Sequence, residues 1–225
     1  MFSVMIEAEP HKDQWDAYLA RTDLLRPQLE KAAGFVEATR YRSLTRDGWI
    51  LSLSDWRNER DVLAWHLRRH GDEDGERGWG HLLADHRLRF GEVTSDTRPP
   101  KGQEIVAQAA DQTPPEPGTY VTLIDVPNTP KWLGSNPQEL AIYLGFDLYS
   151  YGDCISWDIF EALSAPGDII LVVTWKDAQS ATDHAATQIV PDDARVRVVR
   201  IVLDEAMPDH QSSDHQTESG GAVAS

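Results

Sequence analysis

At 225 residues the chain suits one large or two small domains, and its 40% apolar content excludes wholesale disorder. A formal net charge of -16 argues against broad nucleic-acid or anionic-membrane binding, which needs a basic face. The single cysteine, Cys154, excludes an intrachain disulfide and any cysteine-built metal cluster; it reads as a small buried strand residue.

Met1-Phe2-Ser3-Val4-Met5-Ile6-Glu7 turns acidic too soon for a signal peptide. No apolar run approaches the roughly 20 residues of a membrane span. The expectation is a cytoplasmic protein with neither a membrane nor a nucleic-acid partner.

Phe2 to Glu9 reads as a first strand, closed by Pro10. From His11 to Ala33, Trp15, Tyr18, Leu19, Leu25, Leu29 and Ala32 recur at helical spacing. Pro27 should kink or interrupt that helix, and Gly34 should end it. Phe35 to Leu44 is a strand, Arg46-Asp47-Gly48 a hairpin turn, and Trp49 to Trp56 the returning strand. Asn58 is a natural cap for a helix running to about His70. Trp79 to Ala84 suggests a further helical turn or two, and Asp85 to Val93 a fourth strand.

Proline at both ends of the stretch 99–118 marks a linker. Beyond it the same grammar returns. Thr119 to Val126 is a strand, and Asn136-Pro137 opens a short helix reaching Gly145. Ile155 to Leu163 and Asp168 to Trp175 form a hairpin, Asp177 to Ile189 a helix, and Ala194 to Leu203 a last strand. Trp175 follows Trp56 by 119 residues. Tyr41 precedes Trp56, and Phe160 precedes Trp175, by fifteen. An internal repeat of this kind fixes architecture before any motif is weighed. From about Pro208 the composition is polar and without apolar period, as in a disordered tail.

Each copy therefore reads β-α-β-β-α-β, the ferredoxin-like pattern, with helices on one face of a four-stranded antiparallel sheet. The other face must be covered by a second sheet, a partner or a ligand. The expected organisation is a first unit over 1–98, a linker over 99–118, a second unit over 119–206 and a tail over 207–225.

The hairpin, Trp56, the acidic helix start, Trp65, His70 and a closing strand written Asp85-His86-Arg87-Leu88-Arg89-Phe90-Gly91-Glu92-Val93 together resemble the antibiotic biosynthesis monooxygenase family. The resemblance covers residues 1–95 best and 119–206 more weakly, since the second helix of the second copy has no match for Trp65 or His70. It implies an α+β fold in which two tandem ferredoxin-like units join antiparallel sheets into an α+β barrel. Pairing within one chain or as a homodimer is compatible with a linker of about 20 residues. The family includes cofactor-free oxygenases of polycyclic phenols and haem-degrading enzymes. The haem pattern uses an Asn on the first strand, a Trp on the second helix and a His on that helix as iron ligand. Trp65 and His70 match the last two, whereas the first strand contains no Asn.

Among residues that carry chemistry, His66 and His70 stand four apart and share a helix face. No third ligand accompanies them, so no metal site is expected. Trp49, Trp56, Trp65 and Trp79 place four large aromatics within about thirty residues, enough to wall a pocket for a flat substrate. Tyr41, Arg42 and His86 are strand candidates; Tyr41 reads as barrel-facing and His86 as a surface residue. Trp56, repeated as Trp175, reads as a packing residue.

The expected function is monooxygenase-like: oxidation of a small aromatic or phenolic molecule without a cofactor, in a pocket of the first unit. His70 and His66 would be catalytic, and Trp65, Tyr41, Trp49 and Trp79 would bind substrate. In such chemistry the deprotonated substrate itself gives electrons to oxygen, inside a dry cavity beside a base. A non-catalytic binding or scaffold module and a haem-binding or haem-degrading protein are the alternatives.

Overall fold

The structure, a computed structural model, describes residues 1–71, 79–105, 119–134, 136–147 and 152–206, without the side chains of 67–71 and 132. Most of the expected linker (106–118) and the whole expected tail (207–225) lie outside the described residues.

The first copy comprises β1 (Phe2–Pro10), α1 (Trp15–Leu29), β2 (Phe35–Ser43), β3 (Ile50–Trp56), α2 (Glu59–Gly71) and β4 (Leu83–Asp96). The second comprises β5 (Tyr120–Val126), a short 3-10 turn (Lys131–Leu133), α3 (Pro137–Tyr143), β6 (Cys154–Ala162), β7 (Ile169–Trp175), α4 (Ala178–Thr187) and β8 (Arg195–Ala206). No helix among the described residues is long and apolar enough to cross a membrane.

Local chemistry explains these boundaries. Gly48 (φ 80°) and Gly167 (φ 95°) occupy the left-handed corner of the two hairpin turns. Asn58 Oδ1 accepts the Asp61 N–H at 3.0 Å, and the Asn58 amide returns a bond to the Asp61 carboxylate at 2.9 Å. Asn136 and Asp177 cap α3 and α4 in the same way. Helix α1 is not interrupted at Pro27; it runs two residues further, to Leu29. A proline in the last turn forfeits only one hydrogen bond. Strand β4 begins at Leu83, not Asp85, because Pro10 and Glu9 of β1 continue to pair with it.

The eight strands form one closed barrel in the order β1-β3-β2-β6-β7-β5-β8-β4. Each half keeps the ferredoxin order, and the halves join twice within the chain: by a short β2–β6 seam and a long β4–β8 seam. Every strand thus has two neighbours, although at the β2–β6 seam only Tyr41–Ser43 pair with Phe160–Ala162. The barrel interior holds Met5, Leu51, Leu53, Leu123, Phe160, Ile170 and their neighbours.

Charge is also buried there, in matching pairs. Arg89 donates to Thr174 Oγ1 at 2.9 Å and to Glu7. Arg197 donates to Asp55 at 2.7 Å and to Asp125 at 2.6 Å. Each arginine thus binds the first-strand carboxylate of its own half and the third strand of the other, which locks the halves together. Burial alone would raise the Glu7 carboxyl, but Arg89 and Arg46 outweigh it and hold it below its ordinary value.

Candidate functional site

The outer faces of the two half-sheets carry different residues at the same register. In the first half, β2 and β3 pair Ala38 with Ser54 and Arg40 with Ser52. In the second half, β6 and β7 pair Trp157 with Val173 and Ile159 with Leu171. Small or polar residues in one copy thus stand where large apolar ones stand in the other.

The consequence is a difference in filling. In the second half Phe146 packs against Trp157, Trp175 and His184, with ring centroids 6.0, 6.3 and 5.8 Å away. Leu140, Leu144, Leu171 and Val173 close the rest of this core. In the first half the space between sheet and helices is a cavity of about 810 Å³. Its floor is Val4, Ile6, Ala8, Arg40, Ser52 and Ser54; its roof is the inner face of α1, from Tyr18 through Thr22 to Leu29. Trp56, Trp65 and Trp79 wall it, with His66 and His86 beside them.

The walls are fixed by ring contacts. Trp56 is almost fully buried (1% exposed) against Phe35 (5.8 Å, near perpendicular) and Trp65 (6.1 Å). Trp79 meets Tyr18 edge-on at 5.8 Å and carries the Arg21 guanidinium 5.1 Å from its centroid. The position of Trp65 is held in the second copy by His184, which follows Trp175 by the same nine residues and lies 4.8 Å from its ring. Burial in that packed core lowers the His184 pKa to about 4.

Of the residues singled out from sequence, Trp65, Trp79 and His66 converge on the cavity. The His70 side chain lies outside those described. Trp49 does not line the cavity; it sits just past the hairpin turn, with the Arg46 guanidinium 4.2 Å from its ring. Tyr41 faces the barrel interior, as strand alternation allows, and this separates it from the cavity. It lines instead a small polar void of about 100 Å³ with Asp55, Asp125, Arg195 and Arg197. Burial and the nearby Asp125 push its phenol upward. Arg42 is used on the seam, pairing with Glu161.

Three floor residues were missed from sequence: Arg40, Ser52 and Ser54. Arg40 crosses to α1, donating to Thr22 Oγ1 and to Asp23. Ser54 Oγ accepts the Trp56 indole N–H at 3.0 Å. His86 was read as a surface residue; it lines the cavity, and its Nδ1 is buried with no hydrogen-bond partner among the described residues. A haem would need the His70 side chain as its ligand, and the cavity-facing residues of β1 are the apolar Val4, Ile6 and Ala8.

The family model for antibiotic biosynthesis monooxygenase matches residues 1–70, the segment from β1 through α2 that builds most of this cavity. A protein of Pyricularia oryzae named "Jasmonate monooxygenase ABM" is 34% identical over 188 residues, which is 80% of this chain and 85% of that protein. The chain belongs to the antibiotic biosynthesis monooxygenase family. Membership supports a monooxygenase-like role, and the tandem barrel is this family member's version of the α+β barrel. Among solved structures, an aldoxime dehydratase is similar with a TM-score of 0.53 at 8% identity, covering 89% of this chain and 80% of its own. A second aldoxime dehydratase, in complex with butyraldoxime, gives 0.52 at 8% identity, covering 89% and 79%. At such identity the likeness concerns the fold alone.

Proposed function

We propose that the chain is a cofactor-independent monooxygenase that oxidises one small, largely apolar aromatic or phenolic molecule per chain in the cavity of its first half. The supporting observation is the contrast between copies: the same fold closes this space with Trp157, Phe146, Leu171 and Val173 in one half and holds it open in the other. The second half serves as the structural partner that completes the barrel.

In this reading the flat substrate lies against Trp65 and Trp79, and His66 removes a proton from a carbon or oxygen made acidic by a neighbouring carbonyl or ring. The resulting anion transfers electrons to dioxygen. For a ring methylene the balance is R₂CH₂ + O₂ → R₂C=O + H₂O: two C–H bonds are lost, one oxygen atom enters the substrate and the other leaves as water. Apolar walls exclude water from the anion and the oxygen adduct. His66→Gln should then lower the rate by about 10²–10⁴-fold, the usual loss for a missing general base.

Oxygen uptake by chelator-treated protein, over a panel of anthrones, naphthols and jasmonate, tests the proposal. Stoichiometric uptake, with a product that has gained one oxygen atom and lost two hydrogens, is expected for at least one member. Uptake that requires added haem or metal, or none across the panel, overturns it.

A further inference from the structure

We infer that Ser52 and Ser54, flanked by Arg40, form a hydrogen-bond donor strip on the cavity floor that fixes a carbonyl or oxyanion oxygen of the ligand and so determines which small molecules are accepted. The inference rests on the cavity being a ligand site, as proposed above.

Three observations carry it. The first is the internal control supplied by the repeat. Where the outer sheet face only packs, these positions hold Leu171, Val173 and Ile159; where it lines the cavity they hold Ser52, Ser54 and Arg40. The second is geometry. Ser52 and Ser54 alternate onto one face of β3, and Arg40 is the direct cross-strand partner of Ser52, so the three polar groups form one patch. Around them Val4, Ile6 and Leu88 are apolar, which makes the patch the polar feature in the middle of the floor.

The third is hydrogen-bond accounting. Ser54 Oγ is already an acceptor for the Trp56 N–H, so its own hydroxyl hydrogen is left to donate. Ser52 makes no side-chain hydrogen bond to any described residue. Both lie half-buried at the cavity surface. Two Arg40 nitrogens are committed to Thr22 and Asp23 of α1, which holds that side chain across the cavity as an ion pair and leaves the two serines as the donors on the floor. The set presents donors, and the matching ligand group is an oxygen acceptor: a ketone, or the enolate or phenolate formed when the substrate loses its proton. Such a strip holds the oxygen in both forms and binds the anion more strongly.

The test uses two probes of nearly identical shape, 1-tetralone and tetralin, with and without a ketone oxygen. Binding to the full chain is followed by quenching of the fluorescence of the Trp residues that wall the cavity. Wild type should bind tetralone about tenfold more tightly, the ratio expected for one good hydrogen bond. In Ser52→Val/Ser54→Val that preference should fall to about one, with tetralin affinity and circular dichroism unchanged. Equal binding of both probes by wild type, or a preference that survives in the double variant, overturns the donor strip while leaving the cavity as a ligand site. Quenching by neither probe overturns the ligand-site reading itself and the donor strip with it. Should the double variant misfold, the single variant Ser52→Val, whose hydroxyl bonds no described residue, must lose part of the preference.

Discussion

Replacing Ser52 by Leu gives the first half the residue that the second half carries as Leu171. Ser52 makes no side-chain hydrogen bond to any described residue, so its removal leaves no partner stranded. Leucine adds three carbon groups. At about 0.8 kcal/mol per buried methylene-sized group, full burial would stabilise the protein by about 2.4 kcal/mol. The new side chain would face a cavity of about 810 Å³ and meet neighbours on one side only. About half of that gain is therefore expected, near 1 kcal/mol, or a rise in Tm of roughly 2–4 °C for a chain of this size. The same side chain occupies the floor and removes a donor, so ligand affinity should fall at least tenfold. Thermal denaturation followed by circular dichroism, paired with fluorescence titration, reads both effects on one sample. A destabilisation above 1 kcal/mol would mean that the floor is packed and not open. Unchanged affinity would mean that ligand binds elsewhere. Stability gained as binding is lost is the pattern expected when a site is kept open at the expense of packing.

Other consequences follow from the buried groups. His184 has a folded pKa near 4 against an ordinary 6.5, so the unfolded chain takes up its proton first as pH falls. Stability should decline between pH 6.5 and 4 by up to about 3 kcal/mol from this residue, and His184→Phe should flatten that part of a urea-denaturation profile. Glu7, held below its ordinary pKa of 4.5, adds stability that is fully present above pH 4.5 and lost as pH falls below it; Glu7→Gln should weaken this loss in acid unfolding. Asp55→Ala removes a carboxylate that accepts from Arg197 at 2.7 Å and from Ser3 at 2.5 Å inside the barrel, at a cost of about 3–5 kcal/mol by denaturant titration. Trp65→Ala should weaken binding of flat aromatic ligands by tenfold or more in the same fluorescence titration, without abolishing the fold.

The architecture was legible because the repeat is written in residues that the fold uses in both halves. Trp56 and Trp175 end equivalent strands, Tyr41 and Phe160 face the same barrel interior, and glycine takes the same left-handed corner at positions 48 and 167. That the two sheets join into one barrel was legible through the family resemblance alone, because seams such as Arg87 with Asp204 link residues 117 apart without a local signature. At the site, aromatic and histidine density pointed to Trp65, Trp79 and His66. Tyr41 faces the barrel, as read, and Trp49 sits beside the hairpin turn; both stand away from the cavity because it opens between the outer sheet face and the helices. The floor residues were hidden by their ordinariness: a serine in a strand carries no signal alone. Set against the second copy, Ser52 and Ser54 stand opposite Leu171 and Val173, and that comparison was available from sequence once the 119-residue offset was known. His86 was misplaced because β4 begins two residues earlier than the charge pattern of 85–93 suggests.

The most direct test of the central claim is the crystal structure of the full chain with an oxidisable member of the phenol, anthrone and jasmonate panel bound without oxygen. One molecule per chain is expected in the first half, its ring on Trp65 and Trp79, its oxygen within hydrogen-bond distance of Ser52 or Ser54, and an acidic hydrogen facing His66. A molecule seated in the barrel interior or on the second half, with the first-half cavity vacant, would contradict it.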